Sequence, residues 1–125
     1  MLKVRKIFLI STAVLLITLF TAGYFILASM CANTLSASST SPDGKWQLVL
    51  FERDCGATTD FSSQISLIPA GEELPNDSGN VFIADGRPNG YSLVWTSNNS
   101  VVLRVTGNRS YKKEASLNGI GFSYE

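Results

Sequence analysis

The hydrophobic residues of this chain follow two different patterns. Residues 7–28 form an unbroken uncharged run, mostly apolar and without a polar face. Its 22 residues, at the helical rise of about 1.5 Å, span about 33 Å, enough to cross a hydrocarbon core of about 30 Å. After Pro42, apolar and polar residues alternate in short runs, which is typical of β-strands. The pattern therefore predicts one transmembrane helix followed by a β domain.

The β pattern begins after the turn at residues 41–44, where Pro42 fixes φ and Gly44 accepts a positive φ. The predicted strands are 45–53, 61–68, 81–84, 91–96, 101–106, 110–115 and 120–124. Short strands at hairpin spacing predict an all-β fold, a small antiparallel sheet or sandwich of six or seven strands. Residues 71–80 form an acidic loop that bears Pro and Gly.

Alternation also predicts which side chains share a face of each strand. In strand 45–53, one face carries Trp46, Leu48 and Leu50, and the other carries Val49 and Phe51. In strand 61–68 we expect Phe61, Ile65 and Leu67 inward and Gln64 and Ser66 outward.

Composition divides the chain into three parts. Residues 1–30 hold the basic N-terminus and the transmembrane anchor, with the membrane contact at residues 7–28. Residues 31–41 are rich in Ser, Thr and Ala without periodicity, which predicts a flexible tether. Residues 42–125 form the β domain.

All the charge that flanks the apolar run lies on its N-terminal side. Lys3, Arg5 and Lys6 precede the run, and the next charged side chain is Asp43. Because positive flanks resist translocation, we expect a cytoplasmic N-terminus and a β domain outside the cytoplasm. Of the ten cations, seven follow the run, against ten acids. This mildly acidic balance argues against a nucleic-acid partner.

Three fates of the apolar run are open. A cleaved signal peptide has an apolar stretch of about 7 to 15 residues, and this run is longer. Lipidation of Cys31 needs a small residue before the cysteine, and Met30 stands there. We therefore favour a retained signal anchor over a lipoprotein or a cleaved leader. In each case the β domain is extracytoplasmic.

Cys31 and Cys55 are the two cysteines of the chain. In an oxidising exported compartment an even number favours a disulfide, which would stabilise the fold by about 3 kcal/mol in the chain-entropy model. Lipidation would compete for Cys31 and leave Cys55 unpaired. A nucleophilic Cys55 would have no histidine base, because the chain contains no His. The sequence therefore favours a disulfide between these two residues.

Residues 53–60 are the candidate binding loop. Its candidate residues are Arg53, Asp54, Thr58, Thr59 and Asp60. The guanidinium is a bidentate anion donor, the hydroxyls donate and accept, and the carboxylates accept. The alternative is a disulfide-pinned loop whose polar groups bond to its own backbone. The acid spacing fits no calcium loop, and the sequence has no histidine, metal-ligand cluster or phosphate-binding glycine loop. We therefore predict no metal ligand, cofactor or catalytic residue.

Three blocks carry a resemblance: residues 41–45 (SPDGK), 51–59 (FERDCGATT) and 79–85 (GNVFIAD). Together they resemble a group of short bacterial envelope proteins with an N-terminal hydrophobic segment. The resemblance implies a bacterial inner membrane and a periplasm or outer surface, and it brings no activity. SPDGK is also similar to the start of a TolB-type β-propeller blade, but a propeller needs about four to eight blades. The 84 residues from Pro42 onward are too few for that.

Two classes of function follow. We favour a non-catalytic envelope protein whose anchored β domain binds a partner protein, as an accessory, inhibitor or immunity factor, through a sheet edge or a rigid loop. The alternative is a small hydrolase or ligand-binding module that uses Asp54, Thr58 or Asp60. A pocket that gathers these residues would favour the second class, and a flat or sheet-edge patch the first.

Overall fold

The computed structural model of the protein describes residues 1–28, 30–56, 60–106 and 109–125. It divides into two compact units, Met1–Cys31 and Ala32–Glu125. The boundary falls where the apolar helix has ended and the first strand begins.

The first unit is built on one helix, α1 (Leu2–Ala28). Its stretch Leu2–Ile26 is long and apolar enough to cross a membrane, and none of it is buried against protein. Three threonine hydroxyls donate to the carbonyl four residues earlier, those of Thr12, Thr18 and Thr21. These three hydroxyls thus bond within the helix, as a lipid environment favours. The prediction of one N-terminal apolar helix is confirmed.

The second unit contains nine strands in two sheets within the described residues. Sheet A has the order β1-β2-β3-β4-β7, and sheet B has the order β5-β6-β9-β8. The strands are β1 (Ala32–Thr40), β2 (Trp46–Asp54), β3 (Ser62–Pro69), β4 (Phe82–Asp85), β5 (Ser92–Ser97), β6 (Ser100–Arg104), β7 (Ser110–Lys113), β8 (Ser116–Leu117) and β9 (Ile120–Tyr124). Neighbouring strands are antiparallel except β6 and β9, which are parallel. The predicted all-β class is confirmed, with more strands than the six or seven expected.

One face of sheet A and one face of sheet B share the main hydrophobic core. Its buried residues from sheet A and the segment before β4 are Leu48, Leu50, Ile65, Leu67, Val81, Phe82 and Ala84, and those from sheet B are Val101, Leu103, Ile120 and Phe122. Alternate residues of each strand supply these side chains because successive residues point to opposite faces. The inward positions predicted for Ile65 and Leu67 are therefore confirmed. The same prediction is wrong for Phe61, which precedes β3, is only partly buried and lies under the Arg87 guanidinium outside both cores.

The opposite face of sheet A is also covered. Val49, Phe51 and Ile68 are buried there, and Leu74 of the loop at residues 70–80 packs against them. Gln64 and Ser66 lie on this outward face as predicted, but the same loop covers them, and they are only 4% and 5% exposed. That prediction is wrong about exposure because alternation specifies a face but not what covers it.

Polar contacts hold this loop on the sheet. The Gln64 Oε1 atom accepts a hydrogen bond from the Gly79 N–H at 2.6 Å, and the Ser66 hydroxyl accepts one from the Asn80 N–H at 3.2 Å. The Asn80 side chain accepts from the Leu67 N–H at 2.7 Å and donates to the Leu67 carbonyl at 2.9 Å. Asn80 thereby satisfies the backbone of β3 as a neighbouring strand would.

The segment predicted to be a flexible tether forms strand β1. It pairs with β2 along its whole length, with an irregularity between Leu35 and Ala37. The prediction of a tether is wrong here because Ser, Thr and Ala show no alternation, whereas pairing to β2 depends on backbone groups that every residue carries.

Candidate functional site

The candidate loop joins β2 to β3 beside a disulfide bond between Cys31 and Cys55. The strand register explains the pairing of the two cysteines. Ala32, the first residue of β1, lies opposite Asp54, the last residue of β2. The cysteines are the next residues outward on each strand, so the bond closes the open end of the hairpin-like pair. The disulfide predicted from the cysteine count is confirmed.

Arg53 uses its guanidinium to hold structure together. Its Nη1 atom donates to the side-chain oxygens of Asn33 on β1, at 2.8 Å, and of Asn76 in the covering loop, at 3.1 Å. The Asn33 Nδ2 atom in turn donates to the carbonyls of Pro75 and Asp77, at 3.1 and 2.9 Å. This network ties β1, β2 and the covering loop together, and it occupies the group that the sequence offered as an anion donor.

The other candidate residues are in different environments. The Asp54 Oδ1 atom accepts from the Gly56 N–H at 3.0 Å, a local turn contact of the kind that the alternative reading expects. Asp60 is exposed. Thr58 and Thr59 lie outside the described residues. The loop thus remains a predicted binding site, with two of its five residues in structural hydrogen bonds.

The turn before β2 contains a carboxyl with a perturbed pKa. The Ser41 hydroxyl donates to the Asp43 Oδ1 atom at 2.6 Å, and the Lys45 N–H donates to the same atom at 3.1 Å. These hydrogen bonds hold the pKa of Asp43 below its usual range because they favour the charged form. The contacts fix the turn that launches β2, as the SPDG motif predicts.

Three tyrosines have raised pKa values, and each has a structural cause. Burial, opposed by the nearby Ser63 hydroxyl, raises the pKa of Tyr91. Burial, with the Glu114 charge adding to it, raises the pKa of Tyr124 to about 12, and its hydroxyl donates to the Glu114 carbonyl at 2.7 Å. The hydrogen bond to Asp85 raises the pKa of Tyr111, whose phenol is exposed. Tyr111 lies on β7, Tyr124 lies on β9, and Tyr91 directly precedes β5.

Sheet A ends in two edges of different chemistry. At one edge, β7 carries Lys112 and Lys113, and lysines on an edge strand oppose the addition of another strand. At the other edge, β1 carries no charged residue, and its one large apolar side chain, Leu35, is 61% exposed. The Trp95 indole of β5 donates to the Ser39 carbonyl near the end of β1, at 3.0 Å. We call the preceding part, Ala32 to Ser38, the open edge.

Sequence reasoning missed the asparagines that organise this region. Asn33, Asn76 and Asn80 each bond to groups 13 to 44 residues away along the chain. No local pattern marks such contacts, because their partners are set by the sheet register and by the path of the covering loop. The local composition of these segments, rich in Ser and Asn, predicts a loop or a tether and gives no sign of these long-range contacts.

Comparison of the chain with family models, curated proteins and solved structures finds no match. The sheet edges, the disulfide and the apolar helix are the features of the protein that bear on its function.

Proposed function

We propose that this protein is a membrane-anchored, non-catalytic binding domain that captures an extended segment of a partner protein on the open edge of β1. The observation that carries the proposal is the long, uncharged and exposed edge strand at one side of sheet A. Such an edge supplies backbone donors and acceptors to an added strand.

The proposed location is the outer side of a bacterial inner membrane. The cations Lys3, Arg5 and Lys6 stand before the apolar stretch, and such a basic flank favours a cytoplasmic N-terminus. The disulfide supports export, because disulfides persist in oxidising compartments such as the periplasm. The β domain then meets partners of the cell envelope.

The register indicates which backbone groups of β1 are available. Asn80 occupies the Leu67 N–H and carbonyl, so the backbone of Leu67 points away from β2. Backbone direction alternates along a strand, so Gln64, three residues earlier, points toward its partner Phe51. Phe51 therefore points toward β3 and away from Leu35, which lies opposite it on β1. The N–H and carbonyl of Leu35 consequently face outward.

The outward direction makes Leu35→Pro a selective test. Proline removes one outward N–H and leaves the bonds to β2 in place, and proline is tolerated on an edge strand when its nitrogen faces outward. Leu35→Thr is the matched control, because it removes the exposed apolar side chain and keeps the N–H. Both variants should unfold at nearly the same temperature as the wild type.

The measurement is photocrosslinking in intact cells from a photoreactive residue at position 38 of the full-length protein. We expect a discrete adduct with an envelope protein, which persists in the Leu35→Thr background and is lost in the Leu35→Pro background. A probe at position 111, on the lysine-bearing edge, should give no such adduct. An adduct that survives Leu35→Pro, or equal adducts from both edges, would contradict strand addition at β1.

A further inference from the structure

The disulfide lies where the chain from the apolar helix enters the β domain. Three residues, 29–31, separate the end of α1 from the start of β1. Cys31 is the last of them, and its partner Cys55 directly follows the final residue of β2. A covalent path therefore runs from the helix to β2 without passing through β1.

Strand β1 has little hydrophobic attachment of its own. Of its nine residues, only Asn33 and Ser39 are partly buried, and both are polar. Apart from the backbone ladder with β2, two sets of hydrogen bonds from the described residues hold it. They are the bonds of the Asn33 side chain to Arg53, Pro75 and Asp77, and the bond from the Trp95 indole to the Ser39 carbonyl.

Such a strand belongs to the least stable part of a fold. Regions with few buried apolar contacts and solvent-exposed backbone hydrogen bonds open at lower free energy than the core. By contrast, the neighbouring β2 buries Leu48, Val49, Leu50 and Phe51 almost completely. Opening of β1 is therefore expected to leave β2 and both cores in place.

We propose that the Cys31–Cys55 disulfide is a redox clamp that decides whether residues 32–40 serve as an edge strand or as a tether. In the oxidised protein, the bond from Cys31 to Cys55 holds the first residue of β1 beside the last residue of β2. In the reduced protein, this end of β1 is held only by its hydrogen bonds and detaches from β2 more often.

The chemical step is a thiol–disulfide exchange with a protein dithiol. One thiolate of the dithiol attacks a sulfur of the Cys31–Cys55 bond, forms a mixed disulfide and releases one cysteine thiolate, which takes up a proton. The second thiol of the reductant then displaces the other cysteine as its own disulfide closes. Two electrons and two protons pass to the cysteines, and the reductant is oxidised.

The two states differ in reach and in exposed surface. Nine residues at about 3.3 Å each add about 30 Å of extended chain between the helix and the domain when β1 detaches. Detachment also uncovers the edge of β2. The clamp acts on β1 whether or not a partner binds there.

Hydrogen exchange of the full-length protein in lipid nanodiscs tests the clamp. Peptides that cover Ala32–Thr40 should exchange at least tenfold faster after a dithiol reductant is added, while peptides that cover β9 should keep their rate. The Cys31→Ser, Cys55→Ser double variant should behave like the reduced wild type without reductant. If that variant does not fold, the comparison of wild type before and after reduction decides alone.

Asn33→Ala separates the clamp from the side-chain contacts. In the oxidised protein this substitution should change β1 exchange by less than about threefold, because the disulfide still holds the strand end. In the reduced protein it should raise β1 exchange by a further fivefold or more. Unchanged β1 exchange on reduction, or a parallel rise in β1 and β9, would overturn the proposal.

Discussion

Strands β1 and β2 are neighbours of equal length with opposite attachments to the fold. β2 is buried on both faces, because sheet B covers one face of sheet A and the loop at residues 70–80 covers the other. β1 pairs with β2 along its length, but only its residues Asn33 and Ser39 are partly buried and the rest of the strand is exposed. The same backbone ladder therefore joins a strand that builds the core to one that depends on a disulfide and a few polar contacts.

The difference shows that strand pairing and core burial are separate contributions. A backbone hydrogen bond contributes about 1 kcal/mol net, whereas burial of a large apolar side chain contributes about 1.5 to 3 kcal/mol. Pairing alone leaves β1 open to local detachment, and burial keeps β2 in the global unfolding unit. A strand held by pairing alone, such as β1, can expose its edge to a partner or detach. A buried strand such as β2 supports the core.

The sharpest test of this comparison uses two residues that face each other across the strands. Leu35 and Phe51 are register partners, 61% and 0% exposed. Phe51→Ala should lower the free energy of unfolding by about 3 to 5 kcal/mol, because it leaves a cavity under the covering loop. Leu35→Ala should change it by about 0.5 kcal/mol or less. Denaturant unfolding of the full chain in detergent measures both, and similar losses would contradict the comparison.

Covering of β2 by the loop is tested at Gly79. A Cβ atom there would lie 2.8 Å from the Ile65 carbonyl oxygen and 2.9 Å from that of Phe82, so Gly79→Ala must displace the loop. We expect a loss of about 1 to 3 kcal/mol in the free energy of unfolding.

Gly121→Ala is the matched control for Gly79→Ala. Its added Cβ would lie 3.8 Å from the Asn99 carbonyl oxygen, an ordinary contact. The expected change is about 0.5 kcal/mol or less. If the two variants unfold at the same denaturant concentration, the close packing of the loop at Gly79 against Ile65 and Phe82 is contradicted.

The smallest expected effect concerns pH and the sheet B side of the core. The pKa of Tyr124 is raised to about 12 in the folded protein, while an unfolded tyrosine has a pKa of about 10. The protonated Tyr124 phenol thus contributes its full share of stability below pH 10, and this share is lost as the pH rises from 10 to 12. Tyr124→Phe should flatten the fall in stability over that range, and it should cost about 1 kcal/mol at neutral pH through the lost bond to Glu114. Denaturant unfolding followed by circular dichroism at several pH values measures the free energy of unfolding of both proteins. If it falls equally steeply between pH 10 and 12 in the wild type and in the variant, Tyr124 is not the group responsible.

Local sequence patterns predict which face of a strand a side chain takes, but they do not predict the partners of the candidate-loop residues. Leu48, Leu50, Val49 and Phe51 take the faces that alternation predicts. Arg53 was offered as an anion donor, yet its guanidinium bonds to Asn33 and Asn76. The sequence indicates that this group is a hydrogen-bond donor, but its partners come from β1 and from the covering loop. The order of the strands determines these neighbours.

The apolar helix, the all-β class and the pairing of Cys31 with Cys55 can be predicted from the residues alone, because length, period-two alternation and an even cysteine count are local or countable properties. Three features come from the folded chain instead: residues 32–40 form a strand, Gln64 and Ser66 are buried, and β6 and β9 run parallel. Each of these three depends on which backbone or loop lies alongside. A polar segment becomes a strand when a neighbour such as β2 offers it an edge, and it remains a tether when none does.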